Sequence, residues 1–188
     1  TEVVKQLMHH LAHIRIQNFR SCRNVALTFG DCTPIVGYNN AGKSNLLDAL
    51  AWFVAPAPLR EVDFHDVEGP VIVEGMLAGL GGDYLASLAD KHRTKIEPYI
   101  REGRLQVRRT QPDPSAKKAD LILEVRDPAQ SDDSDDACQP TPSGIDNALK
   151  ALFPAPITIG AMEDAAEDAT KAKNSSTIGK LLAEFTGP

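Results

Sequence analysis

The chain has 188 residues, 42% of them hydrophobic and 24% charged, with a formal net charge of −6. That is enough for one ordinary domain with its own core, or one domain plus an appendage. The acidic balance excludes a protein that coats nucleic acid along its whole surface, but it leaves room for a local basic patch. Three cysteines, Cys22, Cys32 and Cys138, are odd in number and lack metal-ligand spacing, so they read as reduced thiols of a cytoplasmic protein. No apolar run reaches the length of a membrane span and no signal peptide is visible, so no membrane association is expected.

In chain order, residues 1–10 read as an extension or disordered start. The stretch HHLAH offers His9, His10 and His13, but no cysteine or carboxylate cluster at ligand spacing accompanies them, so it is not read as a metal site. LAHIRIQNF at 11–19 and NVALTF at 24–29 alternate apolar and polar residues, as half-buried strands do, with SCRN between them as a turn. PIVG at 34–37 reads as a short apolar strand running into a Gly-rich loop. SNLLDALAWFV then places Leu46, Leu47, Leu50 and Phe53 on one helical face, and Pro56 and Pro58 stop the helix. VIVEGMLAGL at 71–80 reads as a strand with Gly75 at a bulge.

Residues 81–103 hold one or two short helices, with Asp83 as N-cap and Pro98 at a break. GRLQVRRTQ at 103–111 and ADLILEVRD at 119–127 form a hairpin. An acidic, Pro- and Ser-rich stretch at 127–143 reads as a mobile loop. SGIDNALKALF follows as a short amphipathic helix capped by Ser143, then APITIGA as a buried strand. The polar segment 163–188 ends in a helix carrying Ile178, Leu181, Leu182 and Phe185. The fold expected is α/β: a loop-bearing strand and helix beside an antiparallel β-subdomain made of 11–29, 71–80, 103–111 and 119–127.

The chemistry is concentrated in GYNNAGKS, which matches G-x-x-x-x-G-K-[ST] in full, between an apolar stretch and an amphipathic helix. Glycines let successive N–H groups point inward at phosphates, and the helix adds the positive end of its dipole. Lys43 then reaches the β- and γ-phosphates and the Ser44 hydroxyl ligates Mg²⁺, so ATP and Mg²⁺ are the expected cofactors. A GTPase reading is not supported, because no N-K-x-D occurs and Asp66-Val67-Glu68-Gly69 lacks a preceding buried strand. That stretch reads as an acidic surface turn.

HIRIQNFRSCRNVALTF followed by PIVGYNNAGKSNLLDAL resembles the amino-terminal lobe of ABC-type P-loop ATPase heads of the SMC, RecF and OLD families. FPAPITIGAMEDA, STIGKLL and the lack of a long heptad region favour the OLD branch of ATP-dependent endonucleases. The resemblance makes 11–162 an ATPase amino-terminal lobe, with 163–188 leading towards an insertion or second lobe. It implies an ATP-driven homodimer of heads, DNA transactions such as repair or phage defence, and in the OLD branch a nuclease domain that follows. It places Gly37, Asn39, Asn40, Ala41, Gly42, Lys43, Ser44 and Asn45 around the phosphates. Arg20 and Ser21 fall at the nucleotide edge, although Arg20 is equally suited to pair with an acid on the sheet rim.

An ABC head also needs a Q-loop glutamine, a glycine-rich signature, a buried strand ending in Asp-Glu and a switch histidine. No glutamine occurs between the loop helix and Gln106. Asp63, His65 or Asp66 could take over its metal or water contact, or form a solvated acidic turn. Glu74 and Glu124 read as solvent-facing residues of alternating strands, which leaves Glu163 as the best catalytic base. GLGG at 79–82 lacks the signature pattern, and His92 reads as a surface residue. The expectation is an incomplete head that alone binds ATP weakly and hydrolyses it slowly, since a general base and trans contacts are each worth orders of magnitude. Lys91, Arg93, Lys95, Arg101, Arg104, Arg108 and Arg109 form a basic cluster suited either to a DNA backbone or to interleaved ion pairs. Two other readings stay open: a complete small-molecule or nucleoside kinase, and a non-catalytic, nucleotide-responsive interaction module.

Overall fold

The computed structural model describes residues 9–126, 138–141 and 144–153. Their centre is a six-stranded antiparallel sheet in the order β2-β1-β3-β4-β5-β6. The strands are β1 (His10–Phe19), β2 (Cys22–Thr28), β3 (Val71–Ala78), β4 (Leu105–Gln111), β5 (Ile122–Arg126) and β6 (Cys138–Pro140). Helices α1 (Lys43–Val54), α2 (Gly82–Ser87), α3 (Asp90–Ile96) and α4 (Ile145–Leu152) accompany it. The first five strands coincide with the alternating stretches of the sequence, because a period of two sorts apolar residues onto one face.

Register shows the sorting directly. Leu27, Ile14, Gly75, Val107 and Val125 lie side by side across five strands, and Val25, Ile16, Val73, Arg109 and Leu123 form the next row. Ile14, Ile16, Val73 and Val125 are fully buried in this face. On the opposite face Arg15, Glu74, Arg108 and Glu124 stand in one cross-strand row of alternating sign. Glu74 bonds Arg108 at 2.5 Å and lies 4.0 Å from Arg15, so it is nearly buried between two cations, not turned to solvent as its strand position suggested.

Helix α1 lies on the core face over β1 and β3. Ala49, Trp52 and Phe53 are its buried residues, while Leu47, expected on the same face, is half exposed. Phe53 sits so close to β3 that a Cβ on Gly75 would come within 2.4 Å of its Cζ. Gly75 is thus a close-approach site and not a bulge; the one register shift of β1 against β3 falls between Leu11 and His13. Arg109 rises from the core face to donate from Nε to the Phe53 carbonyl at 2.7 Å, a cation at the end of a helix, and from Nη2 to Asp146 on α4 at 2.9 Å. Gln111, fully buried, holds both polar groups of the Leu59 backbone.

Several boundaries differ from the sequence reading. Residues 34–37 form no strand: Val36 is 88% and Tyr38 91% exposed, because no neighbouring strand pairs with this stretch among the described residues. The N-cap of α2 is Gly81, with Asp83 in its first turn, and the N-cap of α4 is Gly144. Ser143, most of the acidic loop 127–143, the strand APITIGA, Glu163 and the segment 163–188 lie outside the described residues.

Gly75→Ala is expected to destabilise the chain by about 1–3 kcal/mol through overpacking, with partial recovery when combined with Phe53→Leu, as read by urea denaturation. Asp146→Asn should cost about 1–3 kcal/mol at neutral pH, discounted for the half-exposed carboxylate, because it leaves the buried Arg109 without its charge partner. Burial pushes the Asp146 carboxyl up, but Lys150 and Arg109 outweigh it and hold it below the usual range. The stabilisation is therefore present above the ordinary aspartate pKa of about 3.9 and is lost as pH falls through the lower folded value. The gap between wild type and variant in acid denaturation should close there.

Candidate functional site

The loop at 37–44 bends before α1 through Asn40 and Gly42, both left-handed with φ of 64° and 89°. Asparagine tolerates that region and glycine adopts it freely. Ala41 N–H bonds the Tyr38 carbonyl at 3.1 Å, which closes the turn. Lys43 folds back across it, donating from Nζ to the carbonyls of Gly37 and Tyr38, each at 2.8 Å. Among the described residues no carboxylate pairs with Lys43. Gly42 is the N-cap of the twelve-residue α1, and neither a side-chain cap nor an acid occupies the first turn. Four helix N–H groups at such an end need acceptors. A lysine bonded to neutral carbonyls at an uncapped helix start has the chemistry to meet an anion, and the residues present fit phosphate. Ser44, the expected Mg²⁺ ligand, is exposed at this same end, as are Asn39, Asn40 and Ala41.

The tip of the β1–β2 hairpin abuts the loop. The Ser21 hydroxyl accepts from Asn45 Nδ2 at 2.8 Å, and a Cβ on Gly42 would fall 2.6 Å from that oxygen. Arg20, itself left-handed with φ of 47°, donates from Nε to Asp63 Oδ1 at 2.8 Å and from Nη1 to Asp48, with Asn45 Oδ1 at 3.5 Å. Of the two roles open to Arg20, the acid pair is the one seen, at the edge of the 37–44 loop. Burial works against its charge, but Asp63 and Asp48 outweigh it and raise its pKa further.

Asp63 lies in the short 3-10 turn Glu61–Asp63 and is 6% exposed, so it is no solvated turn residue. Its second oxygen accepts the Arg60 N–H at 3.0 Å and its carbonyl accepts the Arg20 N–H at 2.8 Å. Burial pushes its carboxyl up, yet the Arg60 and Arg20 bonds hold it below the usual carboxylate range. Both oxygens of the expected second metal contact are thereby committed to protein. His65 donates from Nδ1 to the Arg20 carbonyl and accepts from Arg23 Nε, and Asp66 opens the surface turn held by Asn18.

Two contributors were missed by sequence reasoning. Asp48 carried a signal, since it stands one helical turn beyond Ser44 on the same side. Asn18, whose amide bonds four backbone groups of 66–70, sits in the NFRS stretch, but a hydrogen-bonding role across 48 residues leaves no local pattern. The basic cluster is divided: Arg108 pairs with Glu74, Arg109 is buried against Asp146, and Arg93 pairs with Asp90. Among the described residues no group of three His, Cys, Asp or Glu side chains is placed to hold a metal, and no helix is long and apolar enough to cross a membrane. His9 instead stacks on Tyr84, with ring centroids 4.2 Å apart. The three cysteines are free.

Fold and loop together define a class: an α/β chain with a lysine loop at an uncapped helix start beside an antiparallel sheet. Residues 10–141 match the family described as AAA ATPase domain, and the chain belongs to it. It is 41% identical to the Old nuclease of Escherichia phage P2 over 173 residues, 92% of this chain and 28% of that protein. An uncharacterized protein of Methanocaldococcus jannaschii, MJECL44, is 45% identical over 51 residues, 27% of this chain and 15% of that protein. The chain thus spans little more than a quarter of the Old nuclease it matches. The OLD-like amino-terminal ATPase lobe suggested by NFRS and GYNNAGKSN is the branch to which this similarity points.

Gly42→Ala should destabilise the chain by about 1–3 kcal/mol, since both the positive φ and the Ser21 oxygen oppose a side chain. Adding Ser21→Ala should recover the steric share but not the φ share, measured by urea denaturation.

Proposed function

We propose that this chain is the ATP- and Mg²⁺-binding amino-terminal lobe of a DNA-associated ATPase of the OLD/SMC/RecF type, coupled to a nuclease in the longer protein. The single observation that carries the reading is Lys43: an ammonium held, among the described residues, by the carbonyls of Gly37 and Tyr38 at the uncapped start of α1. Asn39, Asn40, Ala41, Gly42, Lys43 and Asn45 would hold the phosphates and Ser44 the metal. Mg²⁺ supplies neutralisation of charge on the β- and γ-oxygens when bound. Lys43 exchanges its two carbonyls for phosphate oxygens, and the Gly42 turn aims the first N–H groups of α1 at them. Ser21, bonded to Asn45, buttresses that turn from the hairpin side.

The reading of an incomplete head belongs to the same proposal and rests on the resemblance to ATPase heads and on the share of the Old nuclease that this chain spans, 28%. Glu163 remains the proposed base, the similarity to Old nuclease supports nuclease coupling, and the DNA partner is proposed from the resemblance to DNA-handling ATPase heads. Homodimerisation through the heads belongs to the same proposal.

The chain should bind ATP with Mg²⁺, and Lys43→Ala should weaken binding by about tenfold to a hundredfold in a titration with a fluorescent ATP analogue. Turnover of the isolated chain should be slow. Fast hydrolysis by a monomer in light scattering, or phosphoryl transfer to a small acceptor, would overturn the half-site reading in favour of a complete kinase. Binding and dimerisation with no turnover even in the full-length protein would favour a non-catalytic module.

A further inference from the structure

We propose that Asp63 is a positioning residue for nucleotide binding, acting by fixing the Arg20 guanidinium against the first turns of α1. The inference rests on the ATP-binding reading above and goes beyond it by giving Asp63 a role other than metal ligation. Asp63 is separated from Lys43 by a helix and a loop, yet three bonds tie it to the hairpin tip and its own turn. Oδ1 takes Arg20 Nε, Oδ2 takes the Arg60 N–H, and its carbonyl takes the Arg20 N–H. The Arg60 guanidinium is 3.8 Å away and largely exposed, so it adds little.

Arg20 is thereby gripped at backbone and side chain together, in a left-handed conformation that a long side chain rarely adopts. Its Nη1 is drawn to Asp48 and Asn45 on α1. Among the described residues Nη2 meets no protein partner, which leaves two N–H donors of the planar guanidinium free on a side chain already anchored at Asn45 and Asp48 of α1. An arginine held in advance surrenders less side-chain freedom when an anion arrives than one that must be ordered at that moment. The same contacts bring two acids to one cation, so a purely electrostatic account predicts the reverse effect: removing a carboxylate would strengthen anion binding.

The test is a double-mutant cycle on ATP affinity in the full chain, with wild type, Asp63→Asn, Arg20→Gln and the double variant, and with Asp63→Glu and Lys43→Ala alongside. Circular dichroism at the assay temperature keeps every variant in the folded state. The expected result is that Asp63→Asn weakens ATP binding about as much as Arg20→Gln does, by roughly tenfold, with no further loss in the double variant. Asp63→Glu should recover part of the affinity. An unchanged or tighter affinity in Asp63→Asn overturns the proposal. So does an equal additional loss in the Arg20→Gln background, which is the mark of a merely structural role. If Lys43→Ala abolishes binding while Asp63→Asn leaves it intact, this inference alone falls. If the wild type shows no Lys43-dependent binding, the ATP reading falls with it.

Discussion

The contact on which the rest depends is that of Phe53 with the bare backbone of Gly75. A side chain on β3 at that point would force the Phe53 ring, and with it the seating of α1, to shift, since the clearance to Phe53 is less than any Cβ tolerates. With α1 seated, its two ends come within reach of the sheet. Arg109 of β4 meets the carbonyl of Phe53 at one end, and the hairpin tip at 20–21 meets Gly42, Asn45 and Asp48 at the other. Hydrophobic packing sets the height of the helix, and directional polar contacts then set its rotation and slide.

Functional geometry follows from that seating. The 37–44 loop leads into a helix start with no side-chain cap and no acid in its first turn, so the backbone donors there and Lys43 are unopposed at the place where the proposed phosphates would bind. The acids of the neighbourhood are committed elsewhere. Asp48 and Asp63 hold Arg20, while Glu74 and Asp146 hold Arg108 and Arg109. Ion pairing thus leaves Asp48 and Asp63, the acids nearest the loop, neutralised by Arg20.

Much of this was legible in advance. The five main strands follow from alternation, and the loop motif with its flanking helix follows from residue type and spacing. The paired arginines at 108 and 109 show both the reach and the failure of such reading. Neighbours on a strand point to opposite faces, so they could never form one basic patch. Parity alone places Arg109 with Leu105 and Val107 in the core, though charge suggested the surface. Glu74 was misjudged for the matching reason: its polar face is real, but cations from two adjacent strands cover it.

The sequence by itself determined the periodic elements and the loop chemistry, because both are written within a few neighbouring residues. Tertiary structure alone decided that Gly75 is a seat for Phe53, that Asp63 is buried under Arg20, and that PIVG stays unpaired. Each of those depends on atoms brought together from distant positions, and in the last case on a strand neighbour that the described residues do not supply. Local pattern reports what a segment prefers; only packing reports which partner it meets.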